Sequence, residues 1–97
     1  MASGYLLATL EILDAPLFAA YRQAVIPLLA EFGGETVVST AEIQAMEGTP
    51  APRHIVCVRF PSVENAVEFL GCDRYKPLKA MRDRCARSEV QLMRGVA

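Results

Sequence analysis

The chain has 97 residues, a net charge of −1 at pH 7 and 53% hydrophobic residues. A chain of this length buries only about 60–70% of its unfolded surface, so we predict a single domain over residues 1–97 with a thin core. The small net charge argues against nucleic-acid and membrane partners, because both require a large basic excess. Ala, Val, Ile, Leu, Met, Phe, Cys and Gly together make up 54 of the 97 residues, about 56%, against roughly 45–50% in soluble domains, and this excess favours a partner subunit.

Three cysteines, Cys57, Cys72 and Cys85, form no closely spaced pair and are odd in number. They therefore indicate neither a disulfide framework nor a zinc site, and we expect reduced thiols. The N-terminus lacks the basic and apolar regions of a signal peptide, and no apolar run approaches the roughly 20 residues that span a bilayer. These features predict a soluble, cytoplasmic protein.

Charges are divided unevenly along the chain. Residues 1–52 carry six acids and one base, whereas residues 53–97 carry five acids and nine bases. The bases gathered near residues 74–87 could steer a small anion toward one helix. The alternative is a solvated helix face that pairs with acids of the other half.

The first predicted elements are a strand and a helix. The apolar run from Tyr5 to Leu13 predicts a buried strand, since it is too short to favour a buried helix. Asp14 can cap the next helix, and Gly33-Gly34 ends it. Pro27 predicts a kink or break near residues 23–27, because proline lacks the N–H of a helical hydrogen bond. The apolar stripe of this helix is Leu17, Tyr21, Val25, Leu28 and Phe32.

A hairpin follows this helix. Residues 35–46 contain a β-branched run and predict a bent edge strand. Residues 47–52 are rich in glycine and proline and predict a turn. The second strongly apolar strand is predicted from His54 to Phe60.

The rest of the chain predicts a helix in two parts and a last strand. Ser62 can cap the first part, and Gly71 interrupts it. Asp73 can cap a continuation that runs to about Arg87. A short strand from Glu89 to Met93 then closes the chain.

Together these elements predict an α+β fold in the order β-α-β-β-α-β. Such a fold is a four-stranded antiparallel sheet with two helices on one face and the first and third strands in the middle. Strand alternation assigns one apolar set to the helix side. This set is Leu6, Ala8, Leu10, Ile12, Val56, Val58, Phe60, Val90 and Leu92.

The opposite side of the predicted sheet mixes apolar and charged residues. Its members are Tyr5, Leu7, Thr9, Glu11, Ile55, Cys57, Arg59, Glu89, Gln91 and Met93. Two such sheets stacked in a homodimer would bury Leu7 and Ile55, and Glu11 and Arg59 could satisfy each other as an ion pair at matching ends of parallel strands. The alternative is a monomer that exposes this mixed face, as antiparallel sheets often do.

An ordered set of short motifs carries a family resemblance. The set is Gly4-Tyr5-Leu6, Tyr21-Arg22, Gly33-Gly34, Glu47-Gly48, Phe60-Pro61-Ser62, Tyr75 and Arg82. It resembles the family named domain of unknown function thirteen-thirty, in the dimeric α/β-barrel superfamily. The resemblance implies a ferredoxin-like homodimer. Its superfamily includes cofactor-independent monooxygenases, muconolactone-type isomerases and haem-handling proteins, but the family itself has no established activity, and fold likeness alone does not transfer chemistry.

Tyr21, Tyr75 and Arg82 are the predicted substrate-binding residues that this resemblance supports. Tyr75 and Arg82 lie two helical turns apart, which places them on one flank of a helix. The guanidinium could bind a carboxylate or enolate through two hydrogen bonds, and a tyrosine hydroxyl could orient it. In the alternative, Tyr21 belongs to the core and Arg82 pairs with an acid. The candidate acids are Glu64, Glu68 and Asp83.

His54 is a further candidate for the binding site, because an imidazole can accept a proton or act as an axial haem ligand. The alternative is a polar residue at a strand end. One histidine cannot make a metal site, and no phosphate-binding or dinucleotide motif is present, so we predict neither metal nor cofactor. Cys57 could act as a nucleophile only beside a base, yet its expected neighbours are Leu7 and Thr9.

Three functional hypotheses follow. The first is a homodimer that binds a small acidic or enolisable metabolite and could be a cofactor-independent enzyme of the monooxygenase or isomerase type. The second is an assembly or regulatory module without turnover. The third is a haem or redox role through His54. The sequence names neither a catalytic residue nor a substrate.

Overall fold

The computed structural model describes residues 2–49 and 53–96. Within these residues the chain forms four strands and three helices. They are β1 (Gly4–Ile12), α1 (Ala15–Glu31), β2 (Glu35–Thr40), β3 (His54–Phe60), α2 (Val63–Gly71), α3 (Tyr75–Cys85) and β4 (Ala86–Arg94). The strands form one antiparallel sheet in the order β2-β3-β1-β4. The predicted α+β, ferredoxin-like fold with β1 and β3 in the centre is therefore confirmed.

Helix α1 begins as predicted but is not interrupted. The Asp14 carboxylate accepts a hydrogen bond from the Leu17 N–H at 3.0 Å and so caps the first turn. The prediction was a kink or a break near residues 23–27, and the break is wrong, because the helix continues through Pro27 to Glu31. Apolar side chains on either side of Pro27 are buried in the core, and this packing holds the helix together despite one missing backbone hydrogen bond.

The second half differs from the prediction at two boundaries. Ser62 caps α2 as expected, by accepting from the Asn65 N–H at 3.2 Å. Helix α3 begins at Tyr75 after the Arg74 cap position, without a side-chain cap, so the predicted Asp73 cap is wrong. The helix also ends at Cys85 rather than near Arg87, and β4 starts at once.

Strand β4 is longer than predicted because β1 provides a partner along its whole length. Every residue from Gly4 to Ile12 pairs with a residue of β4, from Arg94 to Ala86. Strand β2 is shorter than predicted and ends at Thr40. A register shift lies between Thr36 and Val38, and irregularities of this kind bend a strand. Of the predicted turn at residues 47–52, positions 50–52 lie outside the described residues.

The two faces of the sheet differ in burial as the alternation of residues along the strands predicted. Side chains on the helix side of β1 and β3 are buried, among them Leu6, Leu10, Val58 and Phe60. Side chains on the other face of β1 stay half-buried or exposed, and no described part of the chain covers them. No helix within residues 2–49 and 53–96 is long and apolar enough to cross a membrane.

The predicted pair of Glu11 and Arg59 is wrong. Because β1 and β3 are antiparallel, Arg59 lies opposite Tyr5, at the far end of β1 from Glu11. Arg59 instead forms an ion pair with Glu35 of β2 at 2.7 Å. Glu11 lies opposite Arg87 of β4.

Candidate functional site

A pocket lies between the helix layer and the covered face of the sheet. Its walls are mostly apolar side chains of β1, β3 and α1, such as Leu10, Val58 and Val25. The cavity volume is about 50 Å³, which is room for a few water molecules at roughly 10–15 Å³ each. Two exposed residues, Ile26 of α1 and Thr36 of β2, also line it and mark where it opens.

Tyr21, Tyr75 and Arg82 meet in this pocket. Tyr75 is the first residue of α3, and Arg82 follows two turns later on the same flank, as the spacing predicts. The Arg82 Nη1 donates to the Tyr75 hydroxyl at 2.8 Å. The Tyr75 hydroxyl lies 3.1 Å from the hydroxyl of Tyr21, which reaches across from α1. Only 3% of Tyr75 and 7% of Arg82 are exposed, so this is a buried polar cluster.

The chemistry of the side chains fixes the direction of one of the two hydrogen bonds in this cluster. A guanidinium can only donate, so the Tyr75 oxygen accepts from Arg82. The contact between the Tyr75 and Tyr21 hydroxyls can run in either direction, because each hydroxyl can donate or accept. With Tyr75 as the donor, the Tyr21 O–H has no acceptor within the cluster and is available to a ligand.

Arg82 also has a donor group that forms no hydrogen bond within the described chain. Its Nη2 lies 3.7 Å from the Asp83 carboxylate, a weak contact, and Glu64 contacts Arg94 instead. Its Nε is buried and has no hydrogen-bond partner among the described residues. A buried donor without a partner costs about 1–3 kcal/mol. Because Tyr75 occupies Nη1, the edge of the guanidinium left for a ligand is the one formed by Nε and Nη2.

Tyr21 remains a neutral phenol in this setting. Burial, and then the adjacent Tyr75 hydroxyl, raise the pKa of Tyr21 far above its usual value, while the charge of Arg82 lowers it by less. A phenol that keeps its proton is a hydrogen-bond donor and not a base. Tyr21 can therefore stabilise negative charge on a ligand oxygen.

Arg22 is a pocket residue that the sequence analysis named only within a family motif and did not propose for the site. It lines the pocket beside Tyr21 and is half-buried. It forms no ion pair with any residue the structure describes. The available signal was that Arg22 is the one base among residues 1–52. Two guanidinium groups thus line the pocket, and no carboxylate from the described parts of the chain does.

His54 is not brought together with these residues. Its Nε2 lies 3.1 Å from the Ser39 hydroxyl, and its ring packs edge-on against Phe18 with centroids 5.6 Å apart. Phe18 also contacts Tyr21, at 6.1 Å between ring centroids, whereas no hydrogen bond joins His54 to Tyr21, Tyr75 or Arg82 among the described residues. His54 lines a separate, more open hollow with Glu11. Partial burial, and then the charge of Arg22, lower the pKa of His54.

Cys57 lies on the open face of the sheet, outside the pocket. It pairs with Leu7 across β1, as predicted, whereas Thr9 pairs with Ile55. Burial raises the pKa of the Cys57 thiol, which keeps it protonated. No group of three metal-ligating side chains occurs within residues 2–49 and 53–96.

A family model described as a domain of unknown function (DUF1330) matches residues 3–96. The chain belongs to this family. The predicted resemblance is thereby confirmed over nearly the whole sequence. A search of curated proteins finds no match to this DUF1330 chain.

Solved structures similar to this DUF1330 chain share its fold. A protein of unknown function, RPA0582 from Rhodopseudomonas palustris, is 18% identical with a TM-score of 0.78, covering 99% of this chain and 84% of that one. SnoaB, a cofactor-independent oxygenase from Streptomyces nogalater, is 13% identical with a TM-score of 0.63, covering 96% and 92%. A candidate antibiotic biosynthesis monooxygenase from Caulobacter crescentus CB15 is 16% identical with a TM-score of 0.61, covering 99% and 92%. At such identities the likeness concerns the fold alone.

Proposed function

We propose that this protein is a homodimer that binds the oxyanion of a small acidic or enolisable metabolite in the pocket between helices and sheet. The observation that carries the proposal is the buried Nε of Arg82, which has no partner in the described chain, on a side chain that lines a pocket without any described carboxylate. A carboxylate or enolate oxygen would supply both the missing acceptor and the missing negative charge.

The same arrangement suits catalysis on an enolate. Arg82 and the neutral Tyr21 would donate to the ligand oxygen, and such donors stabilise a developing negative charge best when they are fixed in advance. Tyr75 acts as a positioning residue, because it holds the two donors in place. In its enzymatic form the proposal is a cofactor-independent reaction of the monooxygenase or isomerase type. The fold likeness to the oxygenase SnoaB supports this form.

The homodimer is proposed from the open face of the sheet. Leu7 and Ile55 lie half-buried at its centre, and Met93 is 44% exposed at its edge. A second copy of the same face would remove these apolar side chains from water. Charged residues such as Arg59, already paired with Glu35, would then lie toward the rim.

The first test is native mass spectrometry of gently purified protein, which reports the subunit number and any retained small molecule together. The second is titration with 4-nitrophenol, whose phenolate is coloured and mimics an enolate. Because Arg82 and Tyr21 favour the anion, the bound probe should ionise at lower pH than the free probe. Arg82→Met should abolish this shift, and Arg59→Met is the matched control. An unchanged ionisation in the native protein would contradict the oxyanion site and leave the assembly module as the function.

A further inference from the structure

Arg22 places a second positive charge at the opening of the pocket. It follows Tyr21 directly on α1, so its side chain points about 100° around the helix from the tyrosine. It shares the lining of the pocket with the exposed residues Ile26 and Thr36, whereas Arg82 is buried. The two guanidinium groups therefore differ in depth, one inside and one at the mouth.

The described chain provides Arg22 with no counter-charge. The acids at the ends of α1 are engaged elsewhere, since Asp14 caps the helix and Glu31 binds Arg74 at 2.9 Å. Burial, and then the positive charge of Arg22, lower the pKa of His54, so His54 does not compensate the charge of Arg22. A half-buried cation is partly removed from water, so a bound anion at this place would be stabilised by it.

We infer that the ligand of this pocket carries two separate oxyanion groups, one bound inside by Arg82 and Tyr21 and one at the mouth by Arg22. The chemical class is a small diacid, or an acid whose other end is an enolate. This inference rests on the proposed oxyanion site and adds to it the second group. An apolar segment of the ligand would lie between the two charges, against walls made by side chains such as Leu10 and Val58.

The inference is tested by calorimetric titration with straight-chain diacids from malonate to adipate, each compared with its own monomethyl ester. The two members of each pair have the same carbon chain between their carbonyl groups and differ by one charge and one methyl group. Measurements are made at a pH where every carboxyl group is ionised. In the native protein at least one diacid should bind about tenfold more tightly than its ester, which corresponds to about 1.4 kcal/mol.

Arg22→Gln should remove most of the difference between diacid and ester. Arg84→Gln is the matched control, because Arg84 is exposed on α3 and does not line the pocket. The difference should also shrink in high salt, since the mouth of the pocket is open to water.

Two results separate this inference from the function on which it rests. If the esters bind in a manner that depends on Arg82, but no diacid binds better than its ester, the second anionic group is wrong and the oxyanion site stands. The same holds if Arg22→Gln weakens diacid and ester equally. If neither series binds, both the inference and the oxyanion site are wrong.

Discussion

Arg82 and Arg59 place the same side chain in opposite surroundings on the two sides of the sheet. The Arg59 side chain is 46% exposed and lies 2.7 Å from the Glu35 carboxylate, whereas the Arg82 side chain is 9% exposed with its nearest carboxylate at 3.7 Å. An exposed ion pair contributes about 0–1 kcal/mol, but a buried charge without a close partner is costly. The ion pair with Glu35 therefore accounts for Arg59, whereas no close carboxylate accounts for Arg82, and this contrast is the basis of the ligand site proposed on the covered side.

The apolar residues of the two faces differ in the same way. Phe60 and Phe69 are at most 1% exposed beneath the helices. Leu7 and Ile55, at the centre of the open face, are only half-buried. The covered face has completed its packing within one chain, while the open face leaves apolar surface uncovered, which the proposed second copy would bury.

The largest expected effect is on the covered face. Phe69→Ala should lower the free energy of unfolding by about 3–5 kcal/mol, because Phe69 packs against Phe60 and Tyr75 and its loss leaves a cavity. Val67→Ala on the same helix is the control, since Val67 is 54% exposed. Chemical denaturation measures both. A similar loss in the two variants would mean that the covered face is not the better packed one.

The open face should respond in assembly rather than in folding. Leu7→Glu would bury an unpaired charge between stacked sheets, so the dissociation constant of the dimer should rise about a hundredfold or more. The fold of each subunit should survive, because Leu7 points away from the helices. Val67→Glu is the matched control on α2. Sedimentation measures the subunit number, and a native dimer unaffected by Leu7→Glu would exclude the stacked-sheet interface.

Arg82→Met separates ligand binding from stability. Acidic ligands should bind about 10–100-fold more weakly, because a charge-assisted hydrogen bond contributes about 1.5–3 kcal/mol. Stability should change little or rise, since the buried charge and the unpaired Nε are both removed. Arg59→Met should leave ligand binding intact. Calorimetry and denaturation of the two variants decide the matter, and equal loss of binding in both would show that Arg82 has no special role.

Tyr21 should make stability sensitive to alkaline pH. Because its pKa is raised in the folded protein, its contribution is full below the usual value of 10.0 and is lost as the pH rises and the unfolded chain releases the proton. Tyr21→Phe should flatten this dependence. Phenolate absorbance measured alongside denaturation tests the point. If Tyr21 ionised in the folded protein near its usual pKa, the neutral donor role would be wrong.

Much of the fold could be predicted because local signals agreed with the final packing. Strand β3 was predicted at its observed bounds, His54–Phe60, since a turn precedes it and the Ser62 cap follows it closely. The length of β4 was underestimated, because Arg87 and Ser88 are polar and do not continue the apolar strand pattern. They belong to the strand because β1 is long enough to pair with them. The effect of Pro27 as a helix breaker was overestimated. The hydrogen bond that proline removes is a local loss, whereas the packing that offsets it is tertiary and cannot be read from the neighbouring residues.

The site could be predicted in part for a similar reason. Helical spacing alone placed Tyr75 and Arg82 on one flank, and the structure adds the contact with Tyr21. The position of Arg22 depends on how α1 packs over the sheet, which no local pattern encodes. His54 packs against the ring of Phe18 and not against the other candidate residues, and Phe18 is distant from it in the sequence.

The smallest expected effect concerns His54. Its pKa is lowered in the folded protein, so the unfolded chain binds a proton first as the pH falls below about 6.5. Stability should therefore be full above this pH and decline below it. His54→Gln removes the titration and keeps a polar partner for Ser39, so its stability should fall less between pH 8 and pH 6, where carboxylates stay ionised. Identical slopes in the two proteins would show that Arg22 and burial do not act on His54, and would weaken the placement of Arg22 at the mouth of the pocket.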